Sequence, residues 1–203
     1  MLFRSLNWAD KLTTDSKITQ KAYQEKLGLD FEYLPSPIDT EKLDQISNVE
    51  KKDKQIVYVG RDSYEKGIDI LRGIESEIKG NVIYCTDLPW EKAMSMLKSS
   101  SILVVPSRME SLPTVIKEAF YLKVPVIATN VGGIPELIID KKNGILIPSE
   151  DSQMLLSEIN SLLDDHEKMK KLTDAAFDFV NKNMTWSVWL PQYLEFYNNI
   201  ISK

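Results

Sequence analysis

From residue 50 onward, short apolar, β-branched runs alternate with longer stretches whose apolar positions recur every three or four residues. A run apolar on both faces is buried only between two helix layers, so this alternation predicts an α/β domain with a parallel sheet. Strands are predicted at 56–59, 82–84, 102–105, 124–128 and 144–147. Helices are predicted at 67–77, 90–98, 114–122, 135–140 and 153–163, and two more complete the chain. Upstream, 9–16 reads as a strand with its exit loop, 17–27 as a helix, and 31–34 as a strand ending at Pro35-Ser36-Pro37. The charged stretch 39–54 reads as a surface connector. The expected architecture is a Rossmann-like three-layer domain over 46–203, with five to six parallel strands, preceded within 1–45 by a short βαβ unit.

Composition narrows the function. At 203 residues the chain accommodates one well-buried domain and little more. A net charge of -5 leaves no broad basic face, so a nucleic-acid backbone is not an expected partner. The single cysteine, Cys85, forms no internal disulfide and reads as a buried thiol in a reducing compartment. The single histidine, His166, stands in a charged run and reads as a solvated helix residue. No metal site or cofactor is expected. No apolar run approaches the roughly 20 residues that span a bilayer, and residues 1–10 lack a signal-peptide pattern, so the expected address is the cytoplasm.

Ligands of parallel sheets bind outside the carboxyl ends of the strands, here in loops 60–66, 85–89, 106–113 and 129–134. The first carries Gly60-Arg61 and ends at Lys66-Gly67. Two cations around a glycine turn suit a diphosphate, which needs bidentate donors and a compact charge. The spacing alone also suits surface charges near a helix start. The second runs Pro106-Ser107-Arg108-Met109-Glu110-Ser111-Leu112-Pro113-Thr114 and continues to Glu118, eight positions beyond Glu110. Both carboxylates can face one crevice and accept hydrogen bonds from sugar hydroxyls; equally, Glu118 favours an early helical turn and Glu110 sits in solvent. In the third, Gly132-Gly133 precedes Ile134-Pro135-Glu136. Its glycines suit either a ligand close to the backbone or a tight strand-to-helix turn.

In this order the segments resemble the C-terminal domain of the GT-B-fold retaining glycosyltransferases of family 4, the glycosyl transferases group 1 family. The resemblance rests on Val59-Gly60-Arg61 with Lys66-Gly67, Val105-Pro106-Ser107 leading to Glu110 and Glu118-Ala119, Pro125 to Thr129, Gly132-Gly133 with Pro135-Glu136, and Asn143-Gly144. It extends over roughly 9–203, with 9–16 and 35–39 similar to the last elements of that family's N-terminal domain and the tail around Trp186 and Tyr197 similar to its terminal crossing helix. It implies that Arg61 and Lys66 hold the diphosphate of a nucleotide-sugar donor, Glu118 the ribose hydroxyls and Glu110 the hexose. Gly60 and the backbone of Ser111, Leu112 and Thr114 complete the implied donor site; Pro113 stands where many relatives have glycine and donates nothing. The implied reaction transfers a hexose to a glycan, lipid or small-molecule acceptor with retention of anomeric configuration, and no metal is obligatory.

Two departures bear on function. Only about 15 residues separate Lys66-Gly67 from the strand at Val82, so one βα unit of the family pattern is absent. The segment Cys85 to Trp90 then forms the base-side wall, with Trp90 either stacking on the base or buried as a core residue. The acceptor-binding domain is also almost wholly outside this sequence. The chain is therefore read either as the donor half of an enzyme or as a non-catalytic nucleotide-sugar-binding subunit or truncated remnant that needs a partner chain for activity. An epimerase or phosphorylase would need acid-base groups or a Lys-bound cofactor that nothing here signals. Trp186, Trp189, Leu190, Tyr193, Leu194, Tyr197, Ile200 and Ile201 form an apolar stripe on the last helix. It packs on residues 1–40, or on an N-terminal-domain partner chain or a second copy. Many relatives act on lipid-linked or polysaccharide acceptors, which adds the membrane surface as a second address.

Overall fold

In the computed structural model, which describes residues 9–202, the alternating pattern is realised as seven strands and nine α-helices among the described residues. Residues 1–8, part of the stretch read for a signal pattern, lie outside the described residues. Near the N-terminus, β1 (Thr13–Thr14) and β2 (Glu32–Tyr33) pair in parallel around α1 (Lys17–Leu27). Ser16 starts α1 by accepting from the Thr19 N–H, and Gly28, in the left-handed region, ends it. The stretch expected as a surface connector departs from that reading. It forms α2 (Thr40–Asp44) under an Asp39 cap, and Leu43 and Ile46 are buried in the main core with Ile38.

The main sheet comprises β3 (Gln55–Val59), β4 (Asn81–Cys85), β5 (Ile102–Val105), β6 (Val126–Thr129) and β7 (Ile145–Ile147), all parallel, in the order β4-β3-β5-β6-β7. Its strand residues alternate between two apolar layers. Val57, Leu103, Val105, Val126 and Ala128 pack with α4 (Trp90–Ser99), α5 (Thr114–Tyr121) and α8 (His166–Asn183). Ile56, Tyr58, Ile102, Val104 and Ile127 pack with α3 (Ile68–Ile74) and α7 (Ser152–Leu163). Burial on both faces is why the strands read as continuous apolar runs rather than alternating ones. Two elements remain: α6 (Ile134–Leu137), shorter than predicted, and α9 (Trp186–Ile201).

The strand order sets where a ligand can enter. From β3 the chain crosses to β4 on one side, then returns to place β5 on the other side of β3. The loops leaving β3 and β5 therefore diverge, and the crevice between them lies at the sheet's switch point. Cys85 is buried at the end of β4, its Sγ 3.7 Å from Met96 Sδ, and burial pushes the thiol's pKa up. His166 is exposed on α8.

Candidate functional site

A cleft of about 280 Å³ opens at that switch point. Tyr58, Val59, Gly60, Arg61 and Lys66 line it from the β3 exit, and Val105, Ser107, Glu110, Pro113, Thr114 and Val115 from the β5 exit. Of the predicted site residues, Gly60, Arg61, Lys66, Glu110 and Thr114 thus meet around one space.

The β3 loop is held by local chemistry. The Tyr58 hydroxyl donates to the Arg61 carbonyl at 2.6 Å, and burial raises the phenol's pKa to about 12, keeping it a donor. A 3-10 turn at Tyr64–Lys66 ends at Gly67, whose φ is 65°. A Cβ there would stand 2.0 Å from the Pro106 carbonyl oxygen, so glycine is what lets the two loops touch. Where they touch, the Arg108 and Met109 N–H groups both donate to the Glu65 carbonyl. The Arg108 guanidinium donates to both Asp69 oxygens, at 2.7 and 2.8 Å, and also to Glu150, with the Tyr64 ring 3.9 Å away. These carboxylates raise its pKa, and both of its ionic faces are occupied by protein. Arg108 is a clamp between loops, whereas among the described residues no hydrogen bond or ion pair engages the exposed guanidinium of Arg61.

The clamp brings Lys66 to Glu110. Lys66 Nζ lies 2.7 Å from Glu110 Oε1, which also accepts from the Ser107 hydroxyl at 2.8 Å. The Glu110 carboxylate is 8% exposed and Lys66 26%, so the pair is poorly screened by water. Glu110 is held in the cleft rather than left in solvent. Ser111 and Leu112 are placed differently. The Ser111 hydroxyl donates to Asp15 at 2.5 Å, and the Leu112 side chain is buried in the core. Among the described residues neither backbone N–H has a protein acceptor, and Thr114 opens α5, where N–H groups are unpaired at a helix start.

The Gly132-Gly133 turn supports this loop from behind. A Cβ at Gly132, whose φ is 51°, would stand 1.8 Å from the Glu110 carbonyl oxygen, and one at Gly133 would stand 2.0 Å from that of Ser111. The glycines admit protein backbone, not a ligand. Glu136 then caps α1 across 120 residues of chain: its carboxylate accepts from the Ser16 hydroxyl at 2.7 Å and from the Lys17 and Ile18 N–H groups at 3.0 Å each.

Glu118 lies one helical turn beyond Thr114 but outside the lining of the cleft. It is 9% exposed, and burial raises its pKa. Its Oε1 accepts from the Trp90 indole N–H at 2.8 Å. Trp90 packs against the main core, and the Lys42 ammonium sits 4.3 Å from its ring centroid. Beside Glu118, Lys117 is completely buried; its Nζ donates to the Ser36 carbonyl at 2.5 Å, and burial lowers its pKa to about 8. The clamp at Arg108, the buried Lys117 and the indole donor were missed from sequence. A lysine in the apolar run Val115-Ile116-Lys117 was the one available signal.

A second cleft, of about 370 Å³, lies at the opposite ends of the strands, lined by Lys51, Lys52, Lys54, Lys123 and Lys170 among others. It contains none of the predicted site residues.

The family model described as glycosyl transferases group 1 matches residues 74–179, just over half of the chain. An uncharacterized glycosyltransferase of Methanocaldococcus jannaschii is 35% identical over 97 residues, covering 48% of this chain and 27% of that protein. The matched stretch is thus about a quarter of that relative's length. Sucrose-phosphate synthase from Thermosynechococcus elongatus superposes with a TM-score of 0.83 at 20% identity, over 96% of this chain and 59% of that one. HepE of Anabaena, solved in complex with UDP-glucose, superposes with a TM-score of 0.81 at 18% identity, over 94% and 64%. At these identities the likeness is one of fold.

Proposed function

This chain belongs to the glycosyl transferases group 1 family, and on that premise we propose that it is the nucleotide-sugar donor half of a retaining hexosyltransferase. One observation carries the reading. Lys66 and Glu110, 44 residues apart, meet at 2.7 Å in a cleft at the sheet's switch point, with the Arg61 cation, unengaged among the described residues, at its rim. A diphosphate fits between Arg61 and Lys66 and draws Lys66 off Glu110, freeing that carboxylate for hexose hydroxyls. The N–H groups of Ser111 and Leu112 on the same loop, and that of Thr114 at the start of α5, are further donors. Glu118 is the ribose acceptor.

In the proposed reaction the bond from the anomeric carbon to the diphosphate oxygen breaks and the electron pair leaves with the phosphate. An acceptor hydroxyl attacks from the same face and its proton passes to the departing phosphate oxygen, so configuration is retained. Arg61 and Lys66 stabilise charge that grows on the leaving group, which is the largest contribution such a site makes. The acceptor surface belongs to a domain outside 46–203, with residues up to about 45 as the end of that domain. The proposed address is the cytoplasm, with the membrane surface as a second address; among the described residues no helix is long and apolar enough to cross a membrane. Calorimetric titration with UDP, GDP and their sugars tests the reading. Binding that Arg61→Ala and Lys66→Ala each weaken supports it, and binding indifferent to both removes the site.

A second reading, a nucleotide-sugar-binding subunit completed by a partner, is favoured by α9. Tyr193 donates to the Pro35 carbonyl and Trp189 meets Tyr33 edge-on, so one side of the helix packs on the N-terminal unit. Trp186, Leu190, Leu194, Tyr197 and Ile201 stay exposed on it. Co-expression with adjacent reading frames followed by size exclusion separates the two readings, because a monomer that transfers sugar alone eliminates the partner.

A further inference from the structure

Trp90 holds the key to how Glu118 is presented. A carboxylate on α5 has rotamers that point it along, into or away from the crevice, and ordering it before a ligand arrives removes an entropic cost from binding. Here one oxygen, Oε1, is fixed by the indole N–H at 2.8 Å, and among the described residues no hydrogen bond engages Oε2. The indole cannot easily move. It packs against the core, one face lies under Lys42 at 4.3 Å, and Lys42 is in turn near Glu91, at 3.9 Å. The same placement argues against a stacking platform for the base, since the core and Lys42 occupy the ring.

We propose that Trp90 is a positioning residue for ribose: its N–H pins one oxygen of Glu118 so that the other accepts from the vicinal hydroxyls of a ribonucleoside diphosphate. This rests on the donor-site reading above. The indole N–H also stabilises the ionised carboxylate, opposing the burial that pushes it toward the neutral form, in which one oxygen becomes a donor. A tryptophan acting in this way controls selectivity for ribose over deoxyribose and leaves the diphosphate contacts alone.

The test is a set of titrations of the full chain with uridine and guanosine 5′-diphosphates and their 2′,3′-dideoxy counterparts. The wild-type chain prefers the ribonucleotide by about tenfold or more, the factor supplied by one hydrogen bond to a charged group. Trp90→Phe keeps a ring and lowers that preference severalfold, while the dideoxy affinity is unchanged and the pH at which the preference fades moves upward. Glu118→Gln lowers it as well, and combining the two changes adds little. If Trp90→Phe weakens both ligands equally, or keeps the full preference that Glu118→Gln loses, Trp90 is only structural and the inference fails while the donor site stands. If neither ribonucleotide binds the wild-type chain, the donor site itself falls and the inference with it. A second readout needs no change at Trp90. Its indole N–H resonance in the wild-type chain shifts as Glu118 titrates and loses that step in Glu118→Gln; an indole signal with no such step also overturns the inference.

Discussion

Gly132 lies directly behind Glu110: a Cβ at 132 would stand 1.8 Å from the Glu110 carbonyl oxygen, and the φ of 51° at that residue is itself unfavourable to other side chains. The turn after β6 therefore sets the height of the loop that presents Glu110 to Lys66. Gly132→Ala should lower stability by about 2 kcal/mol or more, since both strain and backbone displacement are required. Nucleotide affinity should fall with it. Denaturant unfolding and calorimetry on the same variant check this, and an unchanged protein would show that the loops are not coupled.

The Lys66–Glu110 pair gives a prediction of opposite signs. Glu110→Gln releases Lys66 and removes a negative charge from the cleft, so it should tighten UDP or GDP alone by roughly tenfold, or about 1.4 kcal/mol. The same change removes a carboxylate from the proposed hexose site, so the additional affinity gained from an attached sugar should shrink. Paired titrations with and without the sugar separate the two effects.

Lys117 makes stability depend on pH. Its pKa is lowered from 10.5 in the unfolded chain to about 8 in the folded one. Between those values the unfolded state binds more protons, so stability rises with pH from about 8 to 10.5. Below that window the charged lysine is buried in full, at a cost on the order of 3 kcal/mol. Lys117→Met should abolish the rise and stabilise the protein at neutral pH by about 1 kcal/mol or more, less the unpaired Ser36 carbonyl. Urea unfolding at pH 7 and pH 10 measures both.

Much of the fold was legible because burial on both faces leaves a continuous apolar signature, as at 102–105, which the structure reproduces to the residue. The 39–54 stretch reads as a connector because charge dominates its composition, while Leu43 and Ile46 alone carry its packing. In the candidate site, glycine and charge spacing gave Arg61, Lys66 and Glu110 a common loop edge, yet periodicity could not say which cations are free. Arg108 and Arg61 look alike in sequence. They differ because Asp69 and Glu150 reach the first across 39 and 42 residues. The paired glycines were ambiguous for the same reason, since their partner, the Glu110–Ser111 backbone, is distant in sequence.

The central claim is that anionic ligand enters at the carboxyl ends of β3 and β5. Amide-resolved NMR of the labelled chain titrated with UDP or GDP tests it most directly, because the two clefts lie at opposite ends of the same strands. The account predicts saturable shifts centred on Gly60, Arg61, Ser111, Leu112 and Thr114. Shifts confined to Lys51, Lys52, Lys123 and their neighbours, or no saturable shifts with either nucleotide, would contradict it.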